Sequence, residues 1–330
     1  MGTRYSSKRV RNTLAITAMA LLMPVGQVGA ATVDTEATAE ISSEQAGIAF
    51  TGRVGVGYLT GEAHELVYWP HRGGHKASEL TWDIDSLYMV GLGATIQARQ
   101  WLNINIDTWF NIGDGSGYME DYDWATPGMD WTDQSTHDNT DVTKGFIIDV
   151  NAEMTAFSTN QIQLTGIVGF RRDNFEWQAR GGSFVYSVNG FRDVAGTFPN
   201  DELGITYEQT FDVPYIGIGF KGDFDRIHLA AKLTGSVFVS GEAVDQHHQR
   251  NFVTTDDFSN ESMIAFDVSF GYDISNSIGL EVAYAYEKYD TMKGDSVWDL
   301  NNEGVSINYN DSAGAELETS MVSMNITYSF

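Results

Sequence analysis

From about residue 46 to the final Phe330 the chain alternates apolar and polar residues, and the polar members are often charged. Phe146, Ile148, Val150 and Ala152 share one side of an extended segment, with Asp149, Asn151 and Glu153 on the other. Leu102, Ile104 and Ile106 oppose Asn103, Asn105 and Asp107; Ile264, Phe266, Val268 and Phe270 oppose Asp267 and Ser269; Ile278, Leu280, Val282, Tyr284 and Tyr286 oppose Glu281 and Glu287. Period two is the mark of strands with two unlike faces. No later stretch is apolar for the roughly 20 residues a spanning helix needs, and no interval resembles an interdomain linker. The pattern implies one all-β domain. It does not say which face is wet, because a soluble sandwich hides its apolar face whereas a membrane barrel turns it toward lipid.

Three features favour the barrel. Short links at Arg99-Gln100, Ser158-Thr159-Asn160, Gly222 to Asp225 and Asp273 to Asn276 alternate with long polar excursions near 60–77, 112–142, 181–203, 243–260 and 290–314. One short-looped and one long-looped end is the layout of an outer-membrane barrel. Segments near 78–98, 161–180, 204–224 and 226–242 exceed an ordinary soluble strand at ~3.3 Å per residue, so the barrel should rise above the membrane. Aromatic residues at presumed strand ends, namely Tyr68, Trp82, Trp101, Trp109, Trp177, Tyr215, Tyr272 and Tyr328, suit interfacial girdles. The expected fold is an all-β, ten-stranded antiparallel transmembrane β-barrel with long extracellular loops and both termini at the short-turn end.

The first 30 residues differ from the rest. Arg4, Lys8, Arg9 and Arg11 precede a mostly apolar run from Leu14 to Val25, and Val28-Gly29-Ala30 suits signal peptidase. Residues 1–30 therefore read as a secretory signal, with 31–330 as the mature domain. Removing the signal takes four of the 19 Lys and Arg and none of the 45 Asp and Glu, so the formal charge moves from −26 to −30. Nucleic acid is a poor partner for such a chain and a cationic peptide a good one, although a solvated acidic surface would carry the same charge. With no cysteine, disulfides and thiol chemistry are excluded.

Two polar clusters carry candidate chemistry. Met119-Glu120-Asp121-Tyr122-Asp123-Trp124 sits in a Gly-rich acidic stretch that reads as a loop, and places Asp121 and Asp123 two residues apart. Paired acids raise one another's proton affinity and can hold a water. Asp245-Gln246-His247-His248 offers an imidazole base with a carboxylate to orient it, His248 facing the other way if the segment is extended. Each motif alone is also what a solvated acidic loop or a strand end contains. A metal site could draw on the same four side chains, but no HExxH pair or calcium loop accompanies them. No G-x-S-x-G elbow is present for a serine hydrolase.

The chain resembles the omptin family of outer-membrane proteases of Gram-negative bacteria. The resemblance runs through nearly the whole mature chain: Gly73-Gly74 with Leu80-Thr81-Trp82, Met119 to Trp124, Trp131-Thr132-Asp133 with Ser135 and His137, Ala179 to Ser183, Phe191-Arg192-Asp193, Phe198-Pro199-Asn200, Pro214 to Gly217, and Asp245 to His247. The alternating end at Met324, Ile326, Tyr328 and Phe330 also looks like the terminal signature of outer-membrane proteins. The resemblance implies an endopeptidase barrel at the bacterial outer membrane, its groove facing outward, with catalytic pairs Asp121/Asp123 and Asp245/His247. It further implies monomeric action on peptides or exposed protein loops, no cofactor for the chemistry, and contact with outer-membrane lipid.

Departures from the family matter as well. Of two acids that receive a basic residue before the cleaved bond, one matches Glu65 but the other falls on Ala243. Relaxed selection of basic residues follows as an expectation. Lipopolysaccharide-contacting positions fall on Phe170, Arg172 and Asn174, and approximately on Thr210 and Phe258, so the usual contacts are poorly retained; Arg171 and Arg172 are the available substitutes. The alternative function is a non-catalytic adhesin or binding barrel using its acidic loops. A porin fits poorly, because inward Arg, Glu and Gln side chains should fill a ten-stranded lumen.

Overall fold

A computed structural model describes residues 48–330; the expected signal sequence and its cleavage after Ala30 lie outside the described residues. The strands are β1 (Ala49–Trp69), β2 (His75–Arg99), β3 (Leu102–Asn111), β4 (Gly115–Asp123), β5 (Asp133–Ser158), β6 (Ile162–Arg180), β7 (Ser183–Tyr186), β8 (Val194–Thr197), β9 (Leu203–Phe224), β10 (Ile227–His247), β11 (Phe252–Asp273), β12 (Ile278–Leu300) and β13 (Val305–Ser329). They form one 13-stranded antiparallel sheet. β3 and β4 are the lower and upper parts of a single stave, both lying between β2 and β5. The β7–β8 hairpin extends the sheet from the top of β5. Ten staves remain, as the count of connections predicts. β1 pairs β13 from Thr51↔Ser329 to Val67↔Ala313 and closes the ring. Hydrocarbon offers no partner to a free N–H or C=O, so closure is what permits this sheet to cross a membrane.

In the lower half the apolar face points outward. Val54, Val56, Leu92, Val168, Ile216, Ile218, Ile264, Phe266 and Ile326 are all exposed. The lumen beneath them is polar and connected. Arg53 grips Asp107 with Nη2 2.8 Å from Oδ1 and bonds Thr95 through Nη1 at 2.6 Å; Thr95 leads through Asn105 and Asn151 to Asp149, each bond 2.7–2.8 Å. Glu153 is ion-paired with both Lys221 and Lys232. Arg171 points inward to Asp173 and Glu287, so it is not a lipid-facing substitute.

Above the membrane the code inverts. β10 exposes Leu229 and Leu233 but buries Val239, Ala243 and Asp245, residues of the same parity. β11 likewise exposes Ile264 and Phe266 but buries Asp256 and Phe258, and β2 exposes Tyr88 and Leu92 but buries Leu80, Trp82 and Ile84. Register shifts separate the two regimes, between Ser236 and Val239 on β10 and between Leu59 and Gly61 where β1 pairs β2. A one-residue bulge sends every later side chain to the opposite face. The polar excursions read from sequence thus begin where parity breaks, and much of their length is strand; the tops between staves are 70–74, 124–132, 181–202, 248–251 and 301–304.

Parity also corrects the girdle. Trp101, Tyr272 and Tyr328 are exposed near the short turns, as an interfacial ring requires. Trp82, Trp177 and Tyr215 are buried instead, and Trp109 packs against the core. The upper girdle is built by Tyr58, Tyr88 and Tyr284, which the register places at one height through Tyr58↔Tyr88 and Tyr58↔Val322↔Tyr284. Inside the crown, Trp82 stacks on Tyr207 at 5.4 Å and 17° with Trp177 alongside both. Gln209 ties β9 across the barrel to the His64 carbonyl of β1 at 3.3 Å. This layer forms a floor on which a cleft can rest.

Candidate active site

The cleft above that floor has a volume of about 260 Å³. Its lining includes Asp121 and Asp123 from β4, Asp245 and His247 from β10, and Glu65 from β1. Residues 115–123, read as a loop from their glycines and acids, are strand. β4 is held on both sides, by β2 through Leu80↔Asp121 and Ser78↔Asp123 and by β5 through Asp121↔Ser135 and Asp123↔Asp133. That double ladder fixes alternate residues on one face, which brings both carboxylates inward. Ser78 donates from Oγ to Asp121 Oδ1 at 3.1 Å.

Burial and neighbouring Asp123 push the Asp121 carboxyl well above the usual range, against the pull of Ser78 and Arg250. Burial also raises Asp123, beside Asp133, while Ser78, Arg250 and His247 oppose it. Such a pair retains a proton where isolated acids would lose both. Opposite it, Asp245 Oδ2 lies 2.6 Å from His247 Nε2. Asp245 is buried, and its Oδ1 has no hydrogen-bond partner among the described residues. The His247 ring stacks on Phe252, its partner across the β10–β11 ladder, at 4.3 Å and 19°. Phe252 stacks in turn on Trp298 at 5.6 Å and 11°. The imidazole is therefore held by a carboxylate at one end and an aromatic wall on its face.

His248 turns away from the cleft toward Thr206, with 2.9 Å between Nε2 and Oγ1, as an extended segment requires. Ser135 and His137 bond each other at 3.1 Å, and His137 stacks on Phe198 at 5.3 Å. Both are buried outside the cleft lining, and burial lowers the His137 proton affinity. Ala243 is buried and contributes no polar group. Reading the sequence alone misses Ser78, Arg250, Phe252, Asp256 and Trp298. Only the Asp256-Asp257 pair carried a signal, and it lay in a stretch taken for loop. Among the described residues no group of three or more His, Asp or Glu is arranged to hold a metal. Of the lipid-contact positions, Phe170 is exposed, Arg172 is engaged by Asp212 with bonds of 2.6 and 2.7 Å, and Phe258 is buried.

The omptin family profile matches residues 47–330. The outer membrane protease OmpP of Escherichia coli K12 is 26% identical over 281 residues, covering 84% of this chain and 89% of that protein. The plasminogen activator of Yersinia pestis is 28% identical, covering 85% and 89%. The crystal structure of the outer membrane protease OmpT from Escherichia coli superimposes with a TM-score of 0.82 at 26% identity, covering 86% of this chain and 97% of that one. A closed barrel with an apolar belt, an acidic cleft in its extracellular crown and this extent of likeness lead to one conclusion: the chain belongs to the omptin family and is an outer-membrane protease.

Proposed function

We propose that this protease cleaves peptide bonds by activating a water between Asp245–His247 and Asp121–Asp123, without a cofactor and as a monomer, on cationic peptides and exposed protein loops. The single observation that carries the proposal is that the two pairs, 122 residues apart in sequence between Asp123 and Asp245, line the same cleft. His247 takes a proton from the water, Asp245 stabilises the imidazolium, and the hydroxide adds to the carbonyl carbon. The protonated member of the Asp121–Asp123 pair donates a hydrogen bond to the oxygen as it gains charge. When the tetrahedral intermediate collapses, the C–N bond breaks and His247 returns its proton to the leaving amine. No acyl-enzyme forms.

The net acidic charge and the carboxylates of the cleft favour cationic substrates over nucleic acid. With Ala243 counted alone, selection of a basic residue before the cleaved bond would be relaxed. Arg172, the remaining basic side chain of the lipid-contact set, stays free for lipopolysaccharide only if it leaves Asp212.

The test is hydrolysis of a fluorogenic cationic peptide by purified barrel and by intact cells. His247→Ala and Asp121→Ala should each reduce kcat by about 10²–10⁴-fold with the protein still folded at the surface. Turnover within threefold of the parent in either variant would remove the proposed mechanism, and peptide binding without cleavage in the parent would favour the adhesin reading.

A further inference from the structure

The acid missing at position 243 has a neighbour. In the β10–β11 ladder Ala243 stands directly across from Asp256, and residues opposed in this way project from the same face about 5 Å apart. Asp256 is 6% exposed, lines the cleft, and leaves Oδ1 without a hydrogen-bond partner among the described residues. Glu65, 3% exposed, reaches the same cleft from β1 and likewise leaves Oε2 unpartnered. We propose that Asp256 replaces the absent carboxylate, so that Glu65 and Asp256 together receive the guanidinium or ammonium group of the substrate residue preceding the cleaved bond. This rests on the endopeptidase reading above and names the specificity determinant of the same cleft.

A buried carboxylate oxygen without a donor is costly, and a substrate cation would supply one to each. Burial, with Asp245 and Asp257 close by, pushes Asp256 up to about 7. Burial together with Asp245, Asp256 and Asp121 holds Glu65 well above the usual carboxylate range. A substrate cation would lower both and complete the ion pairs. Val67, Leu80, Phe252 and Trp298 supply apolar walls for its methylene stem. With Asp256 one strand spacing from Ala243, the cleft keeps two carboxylates for the cation, and selection of a basic residue should be strict.

The experiment uses the full barrel in detergent and fluorogenic peptides that differ only in the residue before the cleaved bond, Arg, Lys or Gln. In the parent, Arg and Lys should exceed Gln in kcat/KM. Asp256→Asn should reduce the Arg-to-Gln ratio at least tenfold, as expected for loss of a charge-assisted contact. Ala243→Asp placed in the Asp256→Asn background should restore much of that ratio, which a merely misfolded variant would not do. An unchanged ratio in Asp256→Asn, or equal losses for all three peptides, overturns the proposal. Anisotropy binding of an Arg peptide with an N-methylated scissile amide separates the two claims. If the parent binds it and Asp256→Asn binds tenfold less while neither cleaves any peptide, the subsite stands and the hydrolytic reading falls.

Discussion

Asp256, Glu65 and Asp121 are carboxylates whose folded environment favours the protonated form. In the unfolded chain each returns to an ordinary carboxylate, so between about pH 4 and 7 the native state binds more protons than the unfolded state. Stability must then fall as pH rises through that window. Around Asp256 the facing groups are Glu65 on β1, Asp121 on β4, Asp245 and His247 on β10, Ser296 on β12, and its neighbour Asp257. We predict that thermal unfolding in detergent occurs at lower temperature at pH 8 than at pH 5, and that Asp256→Asn flattens the dependence. A melting temperature that rises over this range, or an unaltered slope in the variant, would contradict the assignment. None of this was readable from sequence, because proximity of Asp256 to Ala243 is a property of the ladder between two strands. Asp121, Asp123, Asp245 and His247 stood out as candidate pairs from their spacing, but only the resemblance joined the two pairs into one site, since each motif is also what a solvated loop or a strand end contains.

Strands were legible where one solvent regime ran their length. The alternation at Ile264 to Phe270 and Ile278 to Tyr286 gave the elements and their two unlike faces, while the turn spacing, strand length and aromatic ends indicated that the apolar face points outward. Legibility stopped at the bulges, since a strand that changes parity in mid-course looks, by hydropathy, like a strand followed by a loop. The top of β5 depends on another local device. Gly182 has φ +101, and an added Cβ would press on the Thr136 carbonyl and lie 2.9 Å from His137 Nδ1. Both the left-handed backbone and the contact demand glycine there. Gly182→Ala should destabilise the barrel by about 1–3 kcal/mol. Gly204, whose added Cβ meets its nearest atom at 3.5 Å, is the matched control. Equal melting temperatures for Gly182→Ala and Gly204→Ala would show that the constraint is not felt.

At the scale of the molecule, two solvents divide the staves between them. Below, lipid takes the apolar face and the lumen holds the Arg53, Glu153 and Arg171 networks; above, the aromatic floor of Trp82, Trp177 and Tyr207 carries the cleft. The lower lumen encloses about 290 Å³ among these side chains, but the aromatic floor lies between it and the cleft, so a planar bilayer holding the protein should show no steady ohmic current. Stable open-channel conductance of porin size would refute that packing. Sequence conveyed the ring and its stave count, through turn spacing and strand length. It could not convey that an aromatic layer divides the interior into a polar lumen below and an acidic cleft above.

The seam between β1 and β13 has a consequence for biogenesis. Asp121 and His247 occupy staves joined through β5, β6 and β9 on one side and through β2, β1, β13, β12 and β11 on the other, so the distance across the mouth is held from both sides only when β1 and β13 have paired. Proteolytic competence should therefore arrive with the finished cylinder, and a chain lacking β13 should show no turnover of a cationic peptide.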